Sequence, residues 1–235
     1  VLRELFFSKG SISESEIVIT DLKDLHHLKN VHRKQIGDPI MVVSENSRYH
    51  CLIKCFEEGS VVLTICDISE IHASEVSIDI ALALLKQDKM HLAIQKLAEL
   101  GLSKLIPIQT QNCVVKLDEK KTKWDTIALE TLKQCGGDKK LEIAEITSLK
   151  ALRLESYDLV LVAWERESTG SIKELLKGDT VKKILYIIGP EGGFAVEEIE
   201  ALKQRDVKSV TLGRNILRAE TAAIVLGGIL KYECE

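Results

Sequence analysis

The chain has 235 residues, 45% of them apolar and 29% charged, the make-up of a globular protein with one large or two modest domains and no low-complexity tract. A net charge of −4 supplies no global basic field, so any contact with nucleic acid has to come from local patches. Six cysteines (Cys51, Cys55, Cys66, Cys113, Cys135 and Cys234) form no C-x-x-C pair and show no zinc spacing with the histidines, so reduced, mostly buried thiols in a cytoplasm and no metal site are expected.

The start, Val1-Leu2-Arg3-Glu4-Leu5-Phe6-Phe7, carries charge inside its apolar stretch and lacks a cleavage site, so no targeting segment is expected. Up to about His72, short apolar segments alternate with turn residues. Leu5 to Phe7, Ser15 to Ile19, Ile40 to Val43, Cys51 to Phe56 and Val61 to Ile65 read as strands, punctuated by Gly10, Gly37-Asp38-Pro39, Glu45-Asn46-Ser47 and Gly59. A small β-barrel or sheet follows. The exception is Asp24 to Gln35, where Leu25, Leu28 and Val31 fall at helical spacing. Between Leu25 and Gly37 there is no acidic residue, whereas His26, His27, Lys29, His32, Arg33 and Lys34 are present. Such a run is either a solvated helix face or a docking surface for phosphates, and its place beside a β-rich region favours the second.

Near Ser74 a βα alternation begins. Ile78 to Leu85 is a near-continuous apolar strand; Met90, Ala93, Ile94, Leu97 and Ala98 then form a helical stripe closed by Gly101. Leu105 to Ile108 is the next strand. Trp124, Ile127, Ala128, Thr131, Leu132 and Cys135 form a second stripe, stopped by Gly136-Gly137. Tyr157 to Trp164 reads as a strand and Ser171 to Lys177 as a short helix. This alternation builds a parallel sheet covered by helices.

The stretch 184–226 organises the rest. Ile184 to Ile188 empties into Gly189-Pro190-Glu191-Gly192-Gly193-Phe194; after a helix-like stretch, Ser209 to Leu212 empties into Gly213-Arg214-Asn215-Ile216-Leu217-Arg218 and then Ala219-Glu220-Thr221-Ala222-Ala223. Open α/β sheets place their ligands outside the carboxyl ends of strands. A phosphate cradle usually adds a lysine to its glycine amides, whereas the first loop carries Glu191 and no lysine. A ligand that is neutral or has a positive centre fits better, and glycines allow a flat heterocycle to approach the backbone closely. S-adenosylmethionine meets both conditions. The last helix holds Ala219, Thr221, Ala222, Ala223 and Gly227-Gly228; such small residues suit tight packing inside the chain as well as they suit a subunit interface. Its apolar run, Ala222 to Leu230, falls far short of the roughly 20 residues that span a bilayer, so no membrane contact is expected.

These two loops resemble the signature loops of the ribosomal RNA small subunit methyltransferase E family. The resemblance extends to Ala83-Leu84-Leu85-Lys86, to Gln95-Lys96-Leu97-Ala98-Glu99-Leu100-Gly101, and in front to His27-Leu28, Val31, Arg33, Gly37 and Asp38. It implies an α/β fold with a SPOUT-type parallel sheet tied in a C-terminal trefoil knot over residues 73–235, preceded by a PUA-like RNA-binding β-barrel over residues 1–72. The implied activity is methylation of N3 of a uridine in small-subunit (16S) rRNA, within the assembled 30S subunit, by a cytoplasmic homodimer using S-adenosylmethionine and no metal.

By the same resemblance the cofactor meets Ala163, Ile188, Gly189, Pro190, Glu191, Gly192, Leu212, Gly213, Ile216, Leu217, Thr221 and Ala222. Lys29, Arg33, Lys34 and Lys86 are the candidate RNA contacts. Uridine N3 is protonated at neutral pH and must lose that proton before it can attack a methyl group. Arg218 is the candidate for stabilising the resulting anion or positioning the substrate, with Glu220 and Glu191 as rival candidates for a base or a structural role. An Arg218–Glu220 surface ion pair is the plainer alternative.

Departures from the family pattern fall at Thr110-Gln111-Asn112-Cys113, where the family shows Thr-Glu-Arg-Ser; at Lys133-Gln134-Cys135-Gly136-Gly137, which lacks the usual arginine; and at Ala195, where a Ser or Thr cap is expected. Losing that cap costs about 1 kcal/mol unless another group satisfies the amides. Two other functions remain open from sequence: a SPOUT methyltransferase of another RNA position, such as a tRNA ribose 2′-hydroxyl, and a non-catalytic RNA-binding assembly factor.

Overall fold

The computed structural model describes residues 5–7, 10–44, 47–71, 75–137, 139–167, 172–176 and 181–234. The chain divides into two compact units, Val1–Ala73 with Leu132–Asp138, and Ser74–Thr131 with Lys139–Glu235. Residues 132–138 thus group with the first unit, although they lie in the stretch that the sequence assigns to the second domain.

In the first unit, strands β1 (Leu5–Phe7), β2 (Gly10–Ile12), β3 (Glu16–Ile19), β4 (Pro39–Ser44), β5 (Ser47–Glu57) and β6 (Ser60–Glu70) form one sheet in the order β1-β4-β5-β6-β3-β2. Pairing is antiparallel except between β1 and β4. Alternation along β3 buries Ile17 and Ile19 against Leu28, Val42, Ile53 and Leu63. β2 escapes sequence reading because it is an edge strand with every residue exposed, held by backbone pairing to β3 without an apolar face. β5 and β6 outrun their apolar spans because the hairpin keeps pairing polar residues as far as Ser47 and Glu70, past two register shifts.

The helix expected over Asp24 to Gln35 is shorter and differently wound. Asp21 caps α1 (Leu22–His26) by accepting from the Lys23 and Asp24 amides at 2.9 and 3.2 Å, and a π-helical turn, His27–Val31, follows. The wider turn rotates Val31 off the buried stripe, leaving it exposed while Leu25 and Leu28 are buried. Asp24 is buried too and is ion-paired with Lys133.

The thiols also correct the sequence expectation. All six are free, but only Cys51 and Cys113 are buried; Cys66 and Cys135 are exposed. Burial, with a smaller effect from Cys66, pushes the Cys51 thiol up to about 11.

In the second unit β7 (Ser77–Ala83), β8 (Lys104–Gln109), β9 (Glu142–Ile143), β10 (Thr147–Ser148), β11 (Leu159–Ala163), β12 (Lys183–Ile188) and β13 (Lys208–Val210) form a wholly parallel sheet in the order β10-β8-β7-β12-β11-β13, with β9 also on β8. The two-residue strands β9 and β10 are too short to show a pattern in sequence. The helices are α2 (Gln87–Glu99), α3 (Thr122–Cys135), α4 (Ile172–Leu175), α5 (Val196–Gln204) and α6 (Ala219–Cys234). The α2 stripe is buried at all five expected positions and ends at Gly101, whose φ of +70° is the left-handed cap that glycine adopts freely. On α3 the stripe holds as far as Leu132, and Cys135 is exposed.

α6 packs on α2, β7 and β12. Tyr186, fully buried in β12, donates its hydroxyl to the Ala223 carbonyl at 2.9 Å, and a Cβ on Gly227 would stand 2.6 Å from that oxygen. The helix-interior glycine is therefore explained by close approach within one chain.

At the other end of β7 the carboxyl of Asp79, 3% exposed, accepts from the Tyr157 hydroxyl at 2.8 Å through Oδ2, while Oδ1 has no hydrogen-bond partner among the described residues. Burial raises the Asp79 carboxyl above its usual range, against the Tyr157 hydrogen bond and the charges of Lys183, Lys104 and Lys139. Its stabilising contribution is fully present below the unfolded value of about 3.9 and is lost as pH rises through the higher folded value. Asp79→Asn removes that titration. Its Tm relative to the parent is expected to climb as pH rises above about 4 in thermal unfolding series, and parallel pH profiles would contradict the assignment.

Candidate active site

Because β7, β11, β12 and β13 are parallel neighbours, the loops leaving their carboxyl ends converge. They line a cavity of about 610 Å³ with residues 163–165, 188–194 and 211–220, together with Ala222, Lys86 and Lys89. Both glycine-containing loops singled out in the sequence face it. Ile188 is buried in its floor, Leu212 and Leu217 are half-buried, and Ile216 stands 81% exposed at its rim.

Each glycine answers a different constraint. Gly189 lies under the Phe194 ring, where a Cβ would come within 2.9 Å of an aromatic carbon. Gly192 has an ordinary φ; its Cβ would meet Asn112 Cβ at 3.2 Å and the Asn112 carbonyl at 3.3 Å. Gly213 is held at φ +113° with nothing within 4 Å of its missing Cβ, so backbone conformation and open space coincide there. The Thr211 hydroxyl steadies that turn by accepting from the Gly213 amide at 3.3 Å.

Of the twelve residues expected to meet a cofactor, all but Thr221 line the cavity. Thr221 is exposed on α6, one residue past buried Glu220 and one before buried Ala222, and so points off the cavity-facing stripe. Arg218 lines the cavity and is exposed. Glu220 is 4% exposed, and its partner is Lys89, with Nζ 2.5 Å from Oε1, instead of the neighbouring arginine. Burial alone would raise the Glu220 carboxyl, but the Lys89 hydrogen bond, its own backbone amide and the charges of Lys89 and Arg218 outweigh it and hold it below the usual range. Glu220 is thus a paired carboxylate, poorly suited to take a proton. Glu191 is exposed at the cavity wall.

Two lysines enter from outside the signature loops. Lys86, a candidate RNA contact by sequence, lines the cavity. Lys89 is not among the candidates named from sequence, and the packing of α2 on α6 brings it here. The lack of a lysine in the first loop is therefore a weak argument against anions. The cavity wall carries Glu165, Glu191 and Glu220 beside Lys86, Lys89, Arg214 and Arg218, a mixed set suited to a zwitterion.

A family model described as an RNA methyltransferase domain matches residues 72–231. The ribosomal RNA small subunit methyltransferase E of Bacillus subtilis is 30% identical, covering 97% of this chain and 94% of that one. The chain belongs to the ribosomal RNA small subunit methyltransferase E family. The enzyme of that name from Mesomycoplasma hyopneumoniae is 31% identical over 91% of this chain and 92% of its own. Among solved structures, a putative methyltransferase from Legionella pneumophila with bound S-adenosylmethionine is 25% identical, with a TM-score of 0.85 over 99% of this chain and 98% of that one.

Two departures from the family pattern have local explanations. Asn112, where the family carries arginine, donates through Nδ2 to the carbonyls of Gly193 at 3.1 Å and Gly192 at 3.4 Å, tying the 110–113 loop to the first signature loop. Ala195 has no side-chain acceptor, yet Glu198 reaches back to accept from the Ala195 amide at 3.0 Å and from the Gln111 amide at 2.9 Å. The Glu198 and Ile199 amides donate to the Ala195 carbonyl, which offsets the missing cap.

Proposed function

We propose that this chain transfers a methyl group from S-adenosylmethionine to N3 of a uridine in small-subunit rRNA. The observation that carries the reading is the cavity at the carboxyl ends of β7, β11, β12 and β13, built from both family loops and lined by Arg218 beside the Lys89–Glu220 pair. The cofactor fits the residues present. Gly213 leaves open space where any Cβ would project, Ile188, Leu212 and Leu217 offer apolar walls for a purine, and the mixed charges suit an amino-acid tail with a sulfonium. When bound, it supplies a methyl group already activated on sulfur, so the protein has only to position the base and manage one proton.

Arg218 serves the uracil oxygens as N3 loses its proton, while Ile216 and Leu217 close over the purine. Supporting this assignment, Arg218 is the exposed cation that immediately precedes α6, whereas Glu220 is already paired. Methyl transfer from labelled cofactor to intact small subunits, naked rRNA and tRNA, with mass spectrometry of the product nucleoside, tests the reading. A methyl on ribose or on C5 overturns it, and no transfer to any RNA returns the chain to a binding factor.

The first unit is the RNA-binding domain in this reading, contacting phosphates through Lys29, Arg33 and Lys34. Lys29 lies 4.9 Å from the Phe56 ring centroid and Lys34 donates to the Pro39 carbonyl at 3.4 Å, so both side chains have local anchors. Arg33 is exposed and held at φ +50°, a left-handed conformation unusual for a residue with a Cβ. Arg33→Gly is therefore expected to act in two directions: stability is kept or gains up to about 1 kcal/mol, while the log–log salt slope of RNA binding shrinks by about 0.7–0.9. An unchanged slope would make this run a solvated helix face. A homodimer belongs to the same reading, and the exposed Val225 and Tyr232 on α6 support it.

A further inference from the structure

Lys89 lies outside the two signature loops, yet it holds the one buried carboxylate of the cavity wall among the described residues. Its side chain is 36% exposed and that of Glu220 5%, so the pair has a buried end and an open end. A buried carboxylate with a single cationic partner keeps that partner in place, because separating the two would strand a charge in the interior. An ammonium has three N–H donors; Glu220 occupies one, and the others remain for a ligand in the cavity that both residues line. Lys89 also stands in the first turn of α2 and Glu220 in the first turn of α6, so both helix dipoles add positive potential at the same place.

We propose that Lys89, oriented by Glu220, is a catalytic residue that donates to a uracil carbonyl oxygen of the target nucleotide as N3 becomes an anion. The proposal rests on the uridine-N3 reading above. In the step, the N3–H bond breaks and its proton leaves to water; the N3 electron pair forms a bond to the methyl carbon; the carbon–sulfur bond breaks and its pair stays on sulfur as a thioether. Negative charge on N3 spreads onto O2 and O4, which flank it, so two donors have two acceptors and Lys89 complements Arg218 instead of duplicating it. Glu220 acts through Lys89 as a positioning residue.

The test compares Lys89→Met, Lys89→Arg, Glu220→Gln and the Lys89→Met/Glu220→Gln double variant in single-turnover methylation of small subunits at saturating cofactor. The expected result for Lys89→Met is a rate about 100- to 1000-fold lower, with S-adenosylmethionine affinity and half-saturating RNA each within about threefold of the parent. Its pH–rate profile should rise later, by about two pH units for a 100-fold loss, because a less stabilised anion needs a higher pH to form. Lys89→Arg should recover at least about tenfold of the loss. The double variant leaves no stranded charge, so it keeps the proposal testable if Lys89→Met misfolds; it should match Lys89→Met in rate, since Glu220 has nothing left to orient.

Several outcomes overturn the proposal. Cofactor affinity falling as far as the rate would make Lys89 a ligand of the cofactor carboxylate. Weaker RNA binding with a smaller salt slope and an unchanged maximal rate would make it a phosphate contact. A Glu220→Gln rate as low as that of the double variant, with Lys89→Met far faster than both, would point to the carboxylate as base. Parental rates in Lys89→Met, with N3-methyluridine still formed, would remove Lys89 from the chemistry. Failure of the N3 reading itself shows separately, in the nucleoside formed by the unaltered protein.

Discussion

Arg218→Ala is expected to retain S-adenosylmethionine binding and to lose about 100- to 1000-fold in turnover, roughly 2.7–4 kcal/mol of transition-state stabilisation. The truncation should spare the fold, because Arg218 is exposed and the buried Glu220 beside it is paired with Lys89; no charge is left stranded inside. It should also spare the cofactor, whose proposed bed is backbone and apolar wall in the two signature loops. What disappears is a donor for charge that exists only once N3 has lost its proton, and an interaction confined to the transition state shows in the maximal rate, with little change in cofactor affinity. Calorimetry with S-adenosylmethionine beside single-turnover methylation checks both halves. Lost cofactor affinity at a normal turnover would place Arg218 in the cofactor bed and leave the anion to Lys89.

Gly213→Val is expected to weaken S-adenosylmethionine binding by about 10- to 100-fold while unfolding midpoints move little. At φ +113° a β-branched residue is strained by about 1–3 kcal/mol. An exposed loop relieves that strain by leaving the conformation, so each binding event must restore it; at 1.4 kcal/mol per tenfold the loss follows. The new side chain would also project into space that the structure leaves open on the cavity wall. Gly192→Val has a different origin. Gly192 is not left-handed, and its Cβ would press on Asn112, so its effect should depend on how far the 110–113 loop yields. Cofactor titration of Gly213→Val, Gly192→Val and Gly192→Val/Asn112→Gly separates the two causes: the Asn112 change should rescue position 192 and has no counterpart at position 213. Unchanged affinity in Gly213→Val would take the second loop out of the site.

The parts of this protein that depend on neighbours along the chain are legible in the sequence itself. Burial on one face repeats with the period of its element, so the stripe of α2, the alternation of β3 and the apolar runs of β7 and β12 name their elements and much of the core. The two signature loops are legible for the same reason: each is one continuous stretch leaving one strand, and all the cofactor candidates except Thr221 reach the cavity from them or from the adjoining strand and helix ends. Thr221 departs because helix phase, which turns about 100° per residue, decides which side chains of α6 face inward. Tertiary structure alone decided the remainder. Lys89 meets Glu220 across 131 positions, Asn112 meets Gly193 across 81, and Tyr186 demands Gly227 from another element. β9 and β10 exist only through pairing to β8, and the π-helical turn that exposes Val31 leaves no mark on residue spacing. Hydrogen bonds and ion pairs between distant segments have no period to betray them, since they depend on where folding brings two side chains together. Here that includes the charges that surround the reacting base in the proposed chemistry.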